Sequence, residues 1–166
     1  MSSGNHFCGN SIRSSAILLV EDDEDDILLL RRAFHNAAVA NPLAEVRDGQ
    51  AAIQYLSGEG AYADRARYPI PFMILLDLRL PKLSGFEVLE WIREQPYLAE
   101  LIVIVLTASD HVPDVNKAHE LGANCYFVKP GTFDELVGLV KRIEGRWLVA
   151  GRSAGDAGSK EIPRTT

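Results

Sequence analysis

The sequence predicts an α/β protein, a three-layer doubly wound sandwich built on one five-stranded parallel sheet. Short Ile/Leu/Val-rich runs recur along the 166 residues, helical periodicity fills the intervals, and turn signals punctuate them. A parallel connection needs a crossover long enough to hold a helix, so repeated strand-then-helix units leave a sheet covered on both faces. With 47% hydrophobic residues, one sizeable core and hence one domain is expected.

The first strand is read at 16–20, an unbroken apolar run that suits burial on both faces. Ile27, Leu30, Arg31 and Phe34 follow at helical spacing. A weaker second strand, 43–46, lies between the turn signals Asn41-Pro42 and Asp48-Gly49. The third strand is placed at 72–76, and Phe86, Leu89, Trp91 and Ile92 mark the helix after it. The fourth strand, 101–106, precedes a helix expected to begin near Pro113, a residue favoured in a first turn. The fifth strand, 126–128, leads to a last helix from about Thr132 to Trp147, with Thr132 and Glu135 at capping-box spacing. The domain is therefore bounded at 16–147. Residues 1–15, rich in Ser, Gly and Asn, are expected to be flexible, and 148–166 to be disordered, since from Gly151 no apolar periodicity remains. No effector domain is expected within these residues.

Twenty-three acidic residues against seventeen basic give a net charge of −6, and the basic residues are scattered, so nucleic-acid binding is not expected. Cys8 and Cys125 form neither a Cys-x-x-Cys pair nor a disulfide framework, which suits a reducing cytoplasm. The start of the chain lacks the pattern of a secretory signal, and the longest apolar runs are too short to cross a bilayer. A soluble cytoplasmic protein is expected.

Ligands of open parallel sheets bind outside the carboxyl ends of the strands. Those ends carry Glu21-Asp22, Asp77, Thr107-Ala108 and Lys129-Pro130. Within the acidic run 21–26, Asp23, Glu24, Asp25 and Asp26 read as carboxylates favouring a helix start. Glu21 and Asp22 instead belong at the mouth of the first strand, beside Asp77. Like charges there repel, and a divalent cation relieves them; magnesium (Mg2+), a hard ion that prefers oxygen ligands, is the expected one. His6, His35, His111 and His119 share neither a helical face nor a Cys partner, so they read as surface residues and zinc is not expected. Asp77 has two readings, a turn cap or a nucleophile that carries a phosphoryl group. Thr107 and Lys129 would then be donors to phosphoryl oxygens, against the plainer readings of a β-branched strand end and a solvated loop lysine. A cis peptide before Pro130 would turn the ammonium back into the site.

Four stretches, Ile17-Leu-Leu-Val-Glu-Asp-Asp, Leu75-Leu-Asp-Leu-Arg-Leu-Pro-Lys-Leu-Ser-Gly, Val105-Leu-Thr-Ala and Tyr126-Phe-Val-Lys-Pro, together resemble the receiver domains of bacterial response regulators. The resemblance spans about 16–147 and implies a flavodoxin-like sheet order, 2-1-3-4-5. It also implies that Asp77 accepts a phosphoryl group from a sensor histidine kinase. Glu21, Asp22, Asp77 and the backbone carbonyl of Arg79 would form the magnesium site, with Asp22 and Asp77 bound directly. Thr107 would hydrogen-bond the phosphoryl group, Lys129 would pair with it, and small Ala108 would leave Thr107 room to move. Tyr126 matches the aromatic switch position, with an ordinary packed aromatic as the alternative. Phosphorylation would bias the surface of the fourth helix, fifth strand and fifth helix toward a downstream partner or a homodimer. A phosphate carrier or sink in a phosphorelay is the alternative.

Two departures from the family pattern are Glu21, where an Asp is common, and Gly131, where a bulky apolar residue is common. The long segment from Gln54 to Pro71 is similar to single-domain regulators that partner phytochrome-type kinases, which makes a bacteriophytochrome an expected partner. Other classes fit less well. A haloacid-dehalogenase-like phosphohydrolase wants a second Asp where this chain has Arg79, and neither phosphate-binding Gly-rich loop is present. A phosphorylation-independent adaptor would not need the full set Glu21, Asp22, Asp77, Thr107 and Lys129.

Overall fold

The computed structural model describes residues 15–148; the expectations for 1–14 and 149–166, including His6 and Cys8, lie outside the described residues. Five strands alternate with five helices: β1 (Ile17–Val20), α1 (Glu24–Asn36), β2 (Leu43–Val46), α2 (Gly49–Ser57), β3 (Met73–Leu76), α3 (Gly85–Glu94), β4 (Ile102–Thr107), α4 (Val112–Glu120), β5 (Cys125–Val128) and α5 (Phe133–Ile143). All strand pairs are parallel, in the order β2-β1-β3-β4-β5. The three-layer architecture and strand order expected from sequence are therefore present.

Side chains alternate across the sheet with the period of two that a strand imposes. Ile17, Leu19, Met73, Leu75, Ile104 and Leu106 pack toward Leu30, Phe34, Leu139 and Ile143 of α1 and α5. On the opposite face Leu18, Val20, Ile74, Leu76 and Val103 meet Ala52, Leu56, Val88, Leu89 and Ile92 of α2 and α3. Each such buried Leu or Ile contributes about 1.5–3 kcal/mol relative to an exposed one. This two-sided burial fixes the sheet, and with it the row of residues just beyond its carboxyl edge.

Helix starts are set locally. Asp23 caps α1, its carboxylate accepting from the N–H groups of Asp25 and Asp26. Asp48 caps α2 through the Ala51 N–H. The reciprocal capping box is at α3, between Ser84 and Glu87. At α5 Thr132 accepts from the Glu135 N–H, which is one half of the box expected there. The α-helix itself ends at Ile143 rather than Trp147, and Glu144–Leu148 continues as a π-helical turn. Pro113 does fall in the first turn of α4.

The excursion between α2 and β3 begins at Gly58, four residues later than its sequence-based start at Gln54. Gly58, at φ 71°, takes the left-handed conformation that ends α2, which a side chain would disfavour. Arg65 then folds back and donates to the carbonyls of Tyr55 and Leu56, both at 2.7 Å, so its fork completes the helix end. The rings of Tyr55, Tyr62 and Tyr68 pack against one another with centroids 5.2–5.9 Å apart. The longer loop is thus a small folded unit with its own aromatic centre.

Candidate functional site

Sheet pairing continues one step past the strands and sets the site. Asp77 N–H donates to the Val20 carbonyl, Glu21 N–H to that of Val46, and Lys129 N–H to that of Thr107. Glu21, Asp77, Thr107 and Lys129 therefore leave the same edge of the sheet together. Glu21 is 3% exposed, Asp77 7% and Thr107 fully buried, whereas Asp22 is exposed.

Lys129 is the hub. Its Nζ donates to Glu21 Oε2 at 2.6 Å, Asp26 Oδ2 at 2.7 Å and Asp77 Oδ2 at 2.9 Å. An ammonium has three N–H donors, and all three are used. The described peptide bonds are all trans, so the ammonium reaches the site without the cis bond that Lys129-Pro130 could have supplied. Asp77 Oδ1 accepts from the Arg79 N–H at 3.2 Å, and Glu21 Oε1 from the Asp23 N–H at 3.1 Å. Arg79 meets Asp77 through its backbone, while its side chain is exposed.

Burial and charge set protonation. Burial disfavours the Glu21 carboxylate, and despite Lys129 its pKa is pushed up to about 7, with the neighbouring Asp77 charge adding to the rise. Burial also acts on Asp77, but the Lys129 hydrogen bond and charge outweigh it and hold Asp77 below the usual carboxylate range. For Lys129 burial opposes the ammonium, and the carboxylates outweigh it, so its pKa lies above the ordinary lysine value. Asp77 is thus an ionised carboxylate whose two oxygens only accept hydrogen bonds, held beside a fixed cation.

Thr107 Oγ1 is buried and has no hydrogen-bond partner among the described residues. An unsatisfied buried hydroxyl costs about 1–3 kcal/mol, so its presence at this edge suits a ligand carrying acceptor oxygens. Tyr126 packs with Leu78, Val105 and Ala118, and its hydroxyl donates to the Ser109 carbonyl at 2.8 Å. That bond ties the aromatic ring to the loop two residues beyond Thr107.

Glu21, Asp22 and Asp77 can each bring one carboxylate oxygen within 4.8 Å of the others. An all-oxygen donor set without His or Cys fits a hard divalent cation. His35, His111 and His119 are exposed, as expected of surface residues.

Asp26 is the residue missed from sequence. It sits in the first turn of α1, where the helix-capping role had been expected to account for it, yet its side chain reaches Lys129. Nothing in a run of six acids marks one of them as the lysine's partner, because that contact spans 103 residues.

Comparison with known proteins points to one family. Residues 17–141 match the family model described as the response regulator receiver domain. The response regulator Rcp1 of Synechocystis sp. is 40% identical over 112 residues, covering 68% of this chain and 74% of that protein. The structure of its Mn(2+)-bound form has a TM-score of 0.73 at 36% identity, covering 88% of this chain and all of that one. The phosphorylated cyanobacterial phytochrome response regulator RcpA superimposes with a TM-score of 0.74 at 41% identity, over 82% of this chain and 95% of that one. The bacteriophytochrome response regulator RtBRR gives 0.66 at 38% identity, over 90% and 84%. By its sequence match and its fold, the chain belongs to the response regulator receiver domain family.

Proposed function

We propose that the chain is a phosphorylation switch in which Asp77 accepts a phosphoryl group from the phosphohistidine of a sensor histidine kinase. The observation that carries this reading is the pairing of an ionised, buried Asp77 with Lys129 on one side and an unpartnered Thr107 hydroxyl on the other. In the transfer the histidine N–P bond breaks, a bond forms between an Asp77 carboxylate oxygen and phosphorus, and the released imidazole takes a proton. Lys129 and Thr107 donate to the phosphoryl oxygens, a task of positioning and electrostatics rather than covalent chemistry. Glu21, Asp22, Asp77 and the Arg79 carbonyl would hold magnesium, which when bound neutralises charge on the phosphoryl oxygens. The Mn(2+)-bound form of Rcp1 supports a metal of this class.

Thr107 drawn toward the phosphoryl group would shift the β4–α4 loop, and with it the Tyr126–Ser109 bond, biasing the α4–β5–α5 face for a partner or a homodimer. Likeness to RcpA, and to the bacteriophytochrome regulator RtBRR, supports a phytochrome-type kinase as donor. No helix among the described residues is long and apolar enough to cross a membrane, and work in the cytoplasm accords with that. Incubation with magnesium and acetyl phosphate, followed by intact-mass measurement, tests the reading. Gain of one acid-labile phosphoryl group by the wild type and none by Asp77→Asn is expected; equal gain by both defeats it.

A further inference from the structure

Lys129 donates all three of its N–H groups to carboxylates, so it contacts a phosphoryl oxygen only by giving up one of them. Two of the three partners belong to the site's own chemistry. Asp77 is the acceptor, and Glu21 is one of the three carboxylates that can gather around a cation. Asp26 is in neither group. It projects from the first turn of α1 and holds the ammonium at 2.7 Å, against 2.6 Å for Glu21.

Resting on the Asp77 acceptor reading, we propose that Asp26 is a positioning residue that competes with the incoming phosphoryl group for Lys129. Three features of the pair support this. Asp26 is 35% exposed at its side chain while Lys129 is 19% exposed, so the contact lies at the rim of the site, where it can be exchanged. The capping of α1 is carried by Asp23, so the Asp26 carboxylate is free of that duty. Asp26 and Lys129 lie on different elements, α1 and the loop entering α5, and a phosphoryl group that takes Lys129 separates them.

Removing the Asp26 charge while keeping its shape then leaves one N–H readily available. A charged contact of this exposure is worth little to moderate free energy, so Asp26→Asn is expected to raise the rate constant for phosphorylation by acetyl phosphate about three- to tenfold. Asp26→Glu, which restores the charge, returns the rate toward that of the wild type.

The experiment is a double-mutant cycle on the full chain in saturating magnesium, with the rate read by intact mass. Acceleration in Asp26→Asn that disappears in the Lys129→Ala background supports the proposal, because the effect then passes through the lysine. Acceleration that persists without Lys129 would be a general effect of removing a negative charge, and it overturns the proposal. No change, or slowing, also overturns it, since Asp26 would then be a surface acid or would hold Lys129 in its productive place. A wild-type chain that gains no phosphoryl group overturns the acceptor reading instead, and the proposal with it.

Discussion

Replacing Lys129 by Met keeps the aliphatic stem but removes the one cation that holds Glu21, Asp26 and Asp77 together. The cost can be apportioned. At pH 7.5 Glu21 escapes charge by protonation, and each pKa unit is about 1.4 kcal/mol. Glu21 already stands at about 7 against an ordinary 4.5, so little of its possible penalty is left, about 1 kcal/mol at most. Asp77 bears the larger share, because it loses the hydrogen bond and charge that offset its burial, about 1.5–3 kcal/mol for a charged hydrogen bond. Asp26, partly exposed, adds less than about 1 kcal/mol. Together these come to about 1.5–5 kcal/mol, a fall in Tm on the order of 10 °C for a domain of this size. Magnesium at a hundredfold excess over its Kd returns about 2.7 kcal/mol by binding the folded state. Thermal and urea denaturation at pH 7.5, with and without magnesium, measure both quantities. A loss below about 0.5 kcal/mol, or a variant that magnesium does not stabilise, would refute the electrostatic account of this cluster.

Three further outcomes are expected. A Cβ on Gly85 would lie 2.2 Å from the Asp77 carbonyl oxygen and 2.6 Å from Leu78 Cα, both backbone, so Gly85→Ala must displace the Asp77–Leu78 peptide. A loss of about 1–3 kcal/mol in denaturation, with slowed phosphorylation, is predicted, and wild-type behaviour in both would count against that close approach. Because the folded state raises the Glu21 pKa, the metal-free protein binds more protons folded than unfolded between about 4.5 and 7, and Glu21's contribution to stability declines as pH rises through that window. A cation displaces that proton, so calorimetry should show magnesium affinity falling up to about tenfold per unit as pH drops below about 7; constant affinity from pH 6 to 8 contradicts it. Tyr126→Phe removes the bond to the Ser109 carbonyl and should cost about 0.5–1.5 kcal/mol while leaving phosphorylation of Asp77 intact. Loss of phosphorylation in that variant would place Tyr126 in the chemistry rather than in the relay.

The strand ends were legible because a parallel sheet buried on both faces writes itself as apolar runs, and whatever polar residue follows such a run must stand at the edge. That is how Glu21, Asp77, Thr107 and Lys129 emerge from sequence, and each lies at that edge. Asp26 did not emerge, because its first-turn position has a sufficient local explanation and its contact with Lys129 depends on how α1 crosses the sheet. A cis bond before Pro130 was one way to aim Lys129; the ammonium's reach, with three carboxylates to draw it, suffices with a trans one. Arg65 shows the same limit in the fold, since nothing in the sequence pairs it with the carbonyls that end α2. Local spacing reports helix starts and strand edges; long side chains that close gaps between elements are set by the assembled packing.

The central claim is that Asp77 carries the phosphoryl group, and trapping the product tests it most directly. After reaction with acetyl phosphate and magnesium, borohydride reduces an acyl phosphate to an alcohol, and peptide mass mapping locates the change. Homoserine at position 77, dependent on the phosphodonor, is the predicted result. A phosphoryl group on any other residue, with Asp77 unmodified, would contradict the account.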